Sequence, residues 1–149
     1  EKHDIEVFGV DPSEQAAKQA KDAGVDAKLG TANDLPFGDE YFDVVLFGFC
    51  LYVCDREDLF KIAAEADRVL KPNAWLAIYD FFSPSSLTRS YAHSDGVEVH
   101  KSDFKQMFLW HPFYECWGHE LHSLEASKHT DDPNQWGCVS ILRRFEGSD

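Results

Sequence analysis

The sequence predicts an α/β protein with a Rossmann-like, doubly wound and mostly parallel sheet. Apolar runs of strand length alternate with amphipathic stretches of helix length over the first half of the chain. The run at 42–49 is apolar on both faces apart from Asp43, which is typical of a strand at the centre of a parallel sheet. Two further strand-like runs near the end of the chain predict an antiparallel hairpin at the sheet edge.

The first elements form a strand, a helix and a second strand. Residues 5–10 predict a buried strand, which the turn at Asp11-Pro12-Ser13 ends. The stretch 13–23 predicts a helix, and Gly24 is its expected left-handed stop. Residues 25–29 predict the next short strand.

The middle of the chain continues the alternation. Asp55 is the expected N-cap of a helix whose apolar residues recur at helical spacing as far as Leu70. Pro72 cannot continue that helix, so it ends there, and residues 74–81 predict another buried strand.

The last third is less regular. From 82 to about 101 no periodicity is visible, and a short helix is expected at about 102–108. Strands are then predicted at 113–122 and 136–145. The residues between them include the turn-forming stretch Asp131-Asp132-Pro133-Asn134.

Composition limits the classes of protein and partner. A chain of 149 residues that is 44% hydrophobic can bury one sizeable core, so we expect one domain over residues 1–149. Fourteen basic against 27 acidic side chains give a net charge of −13, which disfavours nucleic acid as a partner. No apolar run is long enough to span a membrane, so no membrane partner is expected.

The cysteines and histidines give no sign of a metal site. The four cysteines lack both paired metal-ligand spacing and a disulfide framework, so we expect reduced thiols and a cytoplasmic location. The seven histidines form no metal-binding pattern, and we expect no metal.

Asp11 is the first residue that suggests chemistry. In an open α/β sheet a ligand lies outside the carboxyl ends of the strands, where Asp11 stands. Its carboxylate could accept hydrogen bonds from both hydroxyls of a ribose. It could equally cap the helix that follows, and the two roles are compatible.

Four features occur in a characteristic order between about Ile5 and Phe82. They are the acid at 11, the turn 35–37 (Leu-Pro-Phe), the strand 42–45 (Phe-Asp-Val-Val) and the helix end 68–72 (Arg-Val-Leu-Lys-Pro). In this order the chain resembles class I S-adenosylmethionine-dependent methyltransferases that act on small molecules. A nicotinamide dehydrogenase would share the acid but not the Leu-Pro-Phe turn or the terminal hairpin.

The resemblance implies S-adenosylmethionine as cofactor and methyl transfer to a small-molecule acceptor. Because the sulfonium is already an excellent leaving group, the enzyme mainly holds the reactants in line, and no catalytic side chain is assigned. An alternative is a catalytically inactive methyltransferase-like domain that serves as a binding or interaction module.

The resemblance also implies cofactor-binding residues. Asp11 would hold the ribose, and Pro12 would lie under the adenine. Thr31 stands where the family usually has an Asp that accepts from the adenine amino group, and the Ala32 backbone would donate to the ring. Asn33, or else Asp34, could replace the missing Asp; a surface turn is the alternative for this loop.

Two further assignments follow. Phe47, Gly48 and Phe49 would contact the methionine portion of the cofactor, where glycine allows close approach; the alternative is a glycine that relieves packing between the two Phe rings. Tyr52 falls where the family often has a substrate-facing histidine, although a core role is favoured for it.

The segment 82–114 would cover the acceptor, with Tyr91 among its contacts. Because the charges in this segment balance, we expect a neutral or amphipathic acceptor.

One departure stands out: no Gly-x-Gly occurs among the nine glycines, whereas the family opens with a strand and a glycine-rich loop. We therefore expect that the first strand is missing, that the chain is a truncated domain, and that it is inactive by itself. A sheet without that strand would expose an edge, through which copies could self-associate.

Overall fold

The computed structural model describes residues 5–91, 96–124, 131–132 and 135–146. Its strands are β1 (Phe8–Asp11), β2 (Asp26–Leu29), β3 (Phe42–Gly48), β4 (Leu70–Phe81), β5 (Leu87–Ser90), β6 (Glu98–Lys101), β7 (Tyr114–Ser123) and β8 (Trp136–Arg144). Its α-helices are α1 (Glu14–Asp22), α2 (Leu59–Val69) and α3 (Gln106–Leu109), and two short 3-10 turns, Leu51–Val53 and Arg56–Asp58, precede α2.

The strands form three groups in the described residues. β1 and β2 pair in parallel, β3–β4–β8–β7 form a four-stranded sheet, and β5 and β6 form a small antiparallel pair. The α/β class is confirmed. The expectation of a mostly parallel sheet is not met in the residues described, because only β3–β4 is parallel in the four-stranded sheet; β4–β8 and β7–β8 are antiparallel.

Helix α1 begins and ends as its sequence predicts. The side chain of Ser13 accepts a hydrogen bond from the backbone N–H of Ala16 (3.3 Å), which satisfies one free donor of the first turn. Gly24 has φ +89°, a conformation that strains residues with a Cβ, and the chain then turns back into β2.

Strand β3 does not lie at the centre of a parallel sheet. Within the described residues it pairs on one side only, with β4. Val44 and Leu46 are 55% and 64% exposed, so the face that carries them is uncovered. Apolar residues on both faces show that a strand can be buried there, not that a partner is present, and the absence of the first strand expected from the sequence would leave this edge open.

Aromatic side chains connect β1 to the start of β3. The ring of Phe8 lies 5.6 Å from that of Phe42 and 5.9 Å from that of Phe37. Tyr41 completes this group at 5.7 Å from Phe8. Edge-on contacts between aromatic rings stabilise such packing by more than the buried apolar area alone would.

The main core lies between the four-stranded sheet and the helices α2 and α3. Leu51, Ala66, Leu70, Leu76 and Leu142 are fully buried in it. Tyr114 on β7 donates to Asp67 on α2 (2.7 Å), and Arg144 on β8 donates to the same carboxylate (2.9 Å). These bonds fix the last two strands to the end of α2.

Three local predictions need correction. Residues 82–101 contain the β5–β6 pair, which the sequence does not show because its strands lack alternation. The side chain of Asp55 makes no capping hydrogen bond; it precedes a 3-10 turn, and α2 starts only at Leu59. Strand β4 starts at Leu70, four residues before the predicted position. In the turn predicted at 131–134, Pro133 and Asn134 lie outside the described residues.

No helix in the described part of the chain is long and apolar enough to cross a membrane.

Candidate functional site

The carboxyl ends of β1 and β2 place Asp11 beside the loop that follows β2. Parallel pairing sets Asp11 opposite Leu29, and the Gly30 N–H donates to the Asp11 carbonyl (3.2 Å). The Asp11 carboxylate accepts from the Ser13 backbone N–H through Oδ1 (2.8 Å), so the capping role is present. Its other oxygen accepts no hydrogen bond from the described residues and remains available to a ligand.

The other predicted cofactor contacts are Pro12, which follows Asp11, and Thr31, Ala32 and Asn33, which belong to the loop after β2. Pro12 and Thr31 are exposed, while Ala32 and Asn33 are half-buried. The Thr31 hydroxyl donates to Asn33 Oδ1 (2.7 Å). The hydroxyl proton is thereby used within the loop, and the lone pairs of Thr31 can still accept from an amino group.

The Leu-Pro-Phe turn is fixed to α2 by charged side chains. Glu65 accepts from the Leu35 N–H (2.8 Å), and Arg68 donates to the carbonyls of Leu35 (3.0 Å) and Phe37 (2.8 Å). Arg68 also pairs with Glu65 (2.8 Å). The hydrogen bond from Arg68 lowers the pKa of Glu65 to about 2, so this carboxylate stays ionised.

Gly48 lies at the end of β3, facing open space. A Cβ built there would have no described protein atom within 4 Å. Residues beyond its neighbours Phe47 and Phe49 therefore do not require a glycine at this position; relief of packing between these two rings and close approach of a ligand both remain as explanations. The next residue, Phe49, has φ +48°, a strained conformation for a side chain of this size.

The two Phe residues beside Gly48 differ. Phe47 is 5% exposed and packs in the core near Phe108, so the predicted contact with the cofactor would use its backbone rather than its side chain. Strand alternation explains this, because Phe47 points to the helix-covered face. The Phe49 ring instead packs against Tyr79 (4.5 Å) and Phe81 (5.2 Å).

The two residues assigned to the acceptor, Tyr52 and Tyr91, meet in the structure. Their rings lie 6.4 Å apart, and Tyr52 also packs against Phe81 (4.7 Å). We call these two residues together with Phe49, Tyr79 and Phe81 the aromatic group. Burial, followed by the hydrogen bond with Tyr91, raises the pKa of Tyr52 to about 12, so it remains a neutral phenol. The Tyr52 ring also packs on the core, as the alternative interpretation expected.

Two charged residues near the aromatic group escaped sequence reasoning. The ammonium of Lys101, on β6, lies 4.6 Å from the centre of the Phe81 ring. Asp80, beside Phe81 on β4, is 2% exposed. Asp80 could have been found from the sequence, because it closes an apolar strand in the same way as Asp11. Lys101 could not, because it lies on the β5–β6 hairpin, which shows no strand periodicity in the sequence.

The thiols near this site are poor nucleophiles. Burial, with smaller contributions from Cys54, Asp80 and Asp11, raises the pKa of Cys50 to about 12. Within the described residues, no three His, Cys, Asp or Glu side chains come together to hold a metal ion.

The sequence and the fold both match known methyltransferases. A family model described as "Methyltransferase domain" matches residues 1–78, just over half of the chain. The chain belongs to this methyltransferase-domain family.

Among curated relatives, this methyltransferase domain is similar to a ubiquinone/menaquinone biosynthesis C-methyltransferase of Desulfotalea psychrophila. The two are 38% identical over 72 residues, 48% of this chain and 28% of that protein. A 2-phytyl-1,4-naphtoquinone methyltransferase of Synechococcus elongatus is 34% identical over 89 residues, 54% of this chain and 37% of the other. The chain thus matches well under half the length of these relatives.

Solved structures extend the likeness to the whole fold. A SAM-dependent methyltransferase from Methanosarcina mazei superposes with a TM-score of 0.73 at 20% identity, over 93% of this chain and 82% of that one. The Burkholderia thailandensis 1,6-didemethyltoxoflavin-N1-methyltransferase, solved with S-adenosylhomocysteine, gives 0.71 at 15% identity, over 95% and 62%. At these identities the likeness concerns the fold alone.

Proposed function

We propose that this protein transfers a methyl group from S-adenosylmethionine to a small-molecule acceptor. The observation that carries the proposal is the open space at Gly48, which lies at the carboxyl end of its strand, as does the Asp11 carboxylate with its free oxygen. The cofactor supplies a methyl group on a sulfonium. Asp11 would hold the ribose hydroxyls, Thr31 and the Ala32 backbone the adenine, and Gly48 the methionine portion.

The acceptor would bind at the aromatic group, under the segment 82–114. Its rings offer flat apolar surfaces that orient a planar molecule, and Lys101 adds a positive charge beside them. This supports an aromatic or otherwise planar acceptor, in keeping with relatives named for quinone methylation. The protein would act by orienting the acceptor and excluding water, which needs no catalytic base.

The finer description of the fold is part of the proposal. β2–β1 and the four-stranded sheet would be two parts of one doubly wound layer, with α1 on one face and α2 and α3 on the other. Its support is the superposition on the solved structure of a SAM-dependent methyltransferase from Methanosarcina mazei. We also propose that copies associate through the open edge of β3, and that the protein acts in the cytoplasm, in keeping with its four free thiols.

Calorimetry of S-adenosylhomocysteine binding to the whole protein tests the cofactor site. Replacing Asp11 by Ala should weaken binding by about 1–3 kcal/mol, because the ribose hydroxyls lose a charged acceptor. Replacing Gly48 by Ala should also weaken binding without lowering the melting temperature, since the new methyl group meets only ligand.

Matched controls are available in the same chain. Asp22→Ala removes an exposed acid at the end of α1, and Gly38→Ala adds a Cβ that likewise meets no described atom within 4 Å. Both should bind like the unaltered protein. Unchanged affinity in both Asp11→Ala and Gly48→Ala would contradict the site, and absence of binding by the unaltered protein would contradict the function.

A further inference from the structure

Asp80 is a buried carboxylate that holds the loop after β3. It lies one residue before the end of β4 and is 2% exposed. Its Oδ2 accepts from the backbone N–H groups of Leu51 (2.9 Å) and Cys50 (3.2 Å), and its Oδ1 accepts from the N–H of Phe81 (2.8 Å). One side chain therefore joins the ends of two neighbouring strands.

The loop that it holds is strained and carries the candidate site. Phe49, with φ +48°, lies directly between Gly48 and the two N–H groups that bond to Asp80. The Phe49 N–H donates to the Tyr79 carbonyl (2.8 Å), which fixes the other side of the bend. Strained backbone persists only where its surroundings hold it, and it concentrates at functional sites. Tyr52 follows two residues after Cys50, within the same turn.

The surroundings of Asp80 do not supply a compensating cation. No ion pair in the described residues joins Asp80 to a Lys, Arg or His. The titratable groups that face it are the Cys50 and Cys54 thiols and the Tyr52 phenol on the loop, with Asp103 and Cys138 across a recess. Lys105, a cation beside the recess, is paired with Asp103. Cys138 in turn contacts His119 (3.2 Å).

The recess beside Asp80 has room for little more than a water molecule, so it is no ligand pocket. Burial raises the pKa of Asp80 to about 6, although the backbone donors oppose this. Burying an ionised carboxylate here without a cation lowers the stability of the fold, because the charge loses its hydration. Hydrophobic residues of similar volume would carry no such desolvation penalty. The destabilising effect of the buried Asp80 carboxylate therefore indicates a role in the candidate functional site rather than in stabilising the fold.

We propose that Asp80 is a positioning residue: it fixes the loop 48–53 so that Gly48 meets the cofactor while Tyr52 meets the acceptor. The inference rests on the proposed function, because it assigns the two ends of the loop to the two ligands. Phe81 belongs to the aromatic group and donates to Asp80 as well, so the carboxylate connects the acceptor side to the cofactor side.

The variant Asp80→Asn tests this with little change in shape. An amide has one acceptor oxygen, so it cannot serve both Phe81 and the pair Cys50 and Leu51; its NH₂ would face backbone donors. The dissociation constant for S-adenosylhomocysteine should rise about tenfold or more. Asp22→Asn is the control, because Asp22 is an exposed acid at the end of α1; it should change the constant less than about twofold.

The pH profile separates positioning from a merely structural role. Protonation of Asp80 would place an O–H against the loop donors, so the affinity of the unaltered protein should fall as the pH is lowered from 7 to 5. In Asp80→Asn that fall should be absent. The backbone amides of Cys50 and Leu51 should be better protected from hydrogen exchange at pH 7 than at pH 5, after correction for intrinsic rates. This measurement uses the unaltered protein and requires no variant.

The outcomes distinguish the two proposals. If the unaltered protein does not bind S-adenosylhomocysteine, the proposed function fails, and the positioning role fails with it. If it binds and Asp80→Asn binds equally well with the same pH profile, only the role of Asp80 is overturned. If the variant does not fold, exchange protection that is independent of pH overturns that role.

Discussion

The two faces of the four-stranded sheet differ sharply, although the same strands supply both. On the helix-covered face Leu76 and Leu142 are fully buried, and Asp80 lies among them. On the opposite face Leu46 and Trp117 are each 64% exposed. Successive side chains of a strand point to opposite faces, so neighbouring residues of one strand belong to different environments. The covered face stabilises the domain, and it also positions the loop that carries the candidate site.

The largest expected effect compares two leucines on these two faces. Leu76→Ala should lower the free energy of unfolding by about 2–5 kcal/mol, because it leaves a cavity in a packed core. Leu46→Ala should change it by less than about 0.5 kcal/mol, since that side chain is mostly in water. Urea unfolding of both variants measures the difference. A loss of similar size in both would mean that the open face is covered in solution.

The next prediction concerns Asp80 and pH. Its folded pKa of about 6 exceeds the ordinary value of 3.8, so its contribution to stability is fully present below pH 3.8 and is lost as the pH rises through about 6. The difference of about two in pKa is worth roughly 3 kcal/mol. Asp80→Asn cannot ionise, so its stability relative to the unaltered protein should rise by up to that amount between pH 4 and pH 7.

Urea unfolding at several pH values measures this, with Asp22→Asn, which changes an exposed acid at the end of α1, as the reference. A stability difference between Asp80→Asn and the unaltered protein that stays constant over this range would contradict the raised pKa. A variant that gains stability at neutral pH while losing cofactor affinity would show that Asp80 is kept at a cost to the fold.

Local signals predicted the elements that they encode directly. Ser13 and Gly24 mark the ends of α1, and Pro72 marks the end of α2, because capping and backbone restriction act within a few residues. The pairing of strands depends on distant residues. An apolar run such as 42–49 shows that a strand can be buried, but not which neighbours it has. The α/β class was therefore predictable from local patterns, whereas the open edge of β3 was predictable only from the resemblance, which indicated a missing neighbouring strand.

The candidate site divides in the same way. Asp11 and Gly48 follow from the order of motifs along the chain. The burial of the Phe47 side chain in the core follows from strand alternation, which depends on where the strand begins. Tyr91 was predicted from the resemblance as an acceptor contact, whereas Lys101 was not, because it belongs to the β5–β6 pair, whose polar strands give no periodic signal.

The smallest expected effect on stability tests the open face as a contact between copies. Leu46→Lys places a charge on the exposed face of an edge strand, a substitution that hinders association between edges. The unfolding free energy should change by less than about 0.5 kcal/mol, because Leu46 is 64% exposed. Light scattering coupled to size exclusion, over a range of concentrations, should show less self-association than in the unaltered protein. Lys61→Ala, which changes an exposed charge on α2 far from β3, is the control and should leave it unchanged. If Leu46→Lys and the unaltered protein are both monomeric at every concentration, copies do not associate through β3. Repulsion between chains of net charge −13 would then explain why the open edge does not cause association.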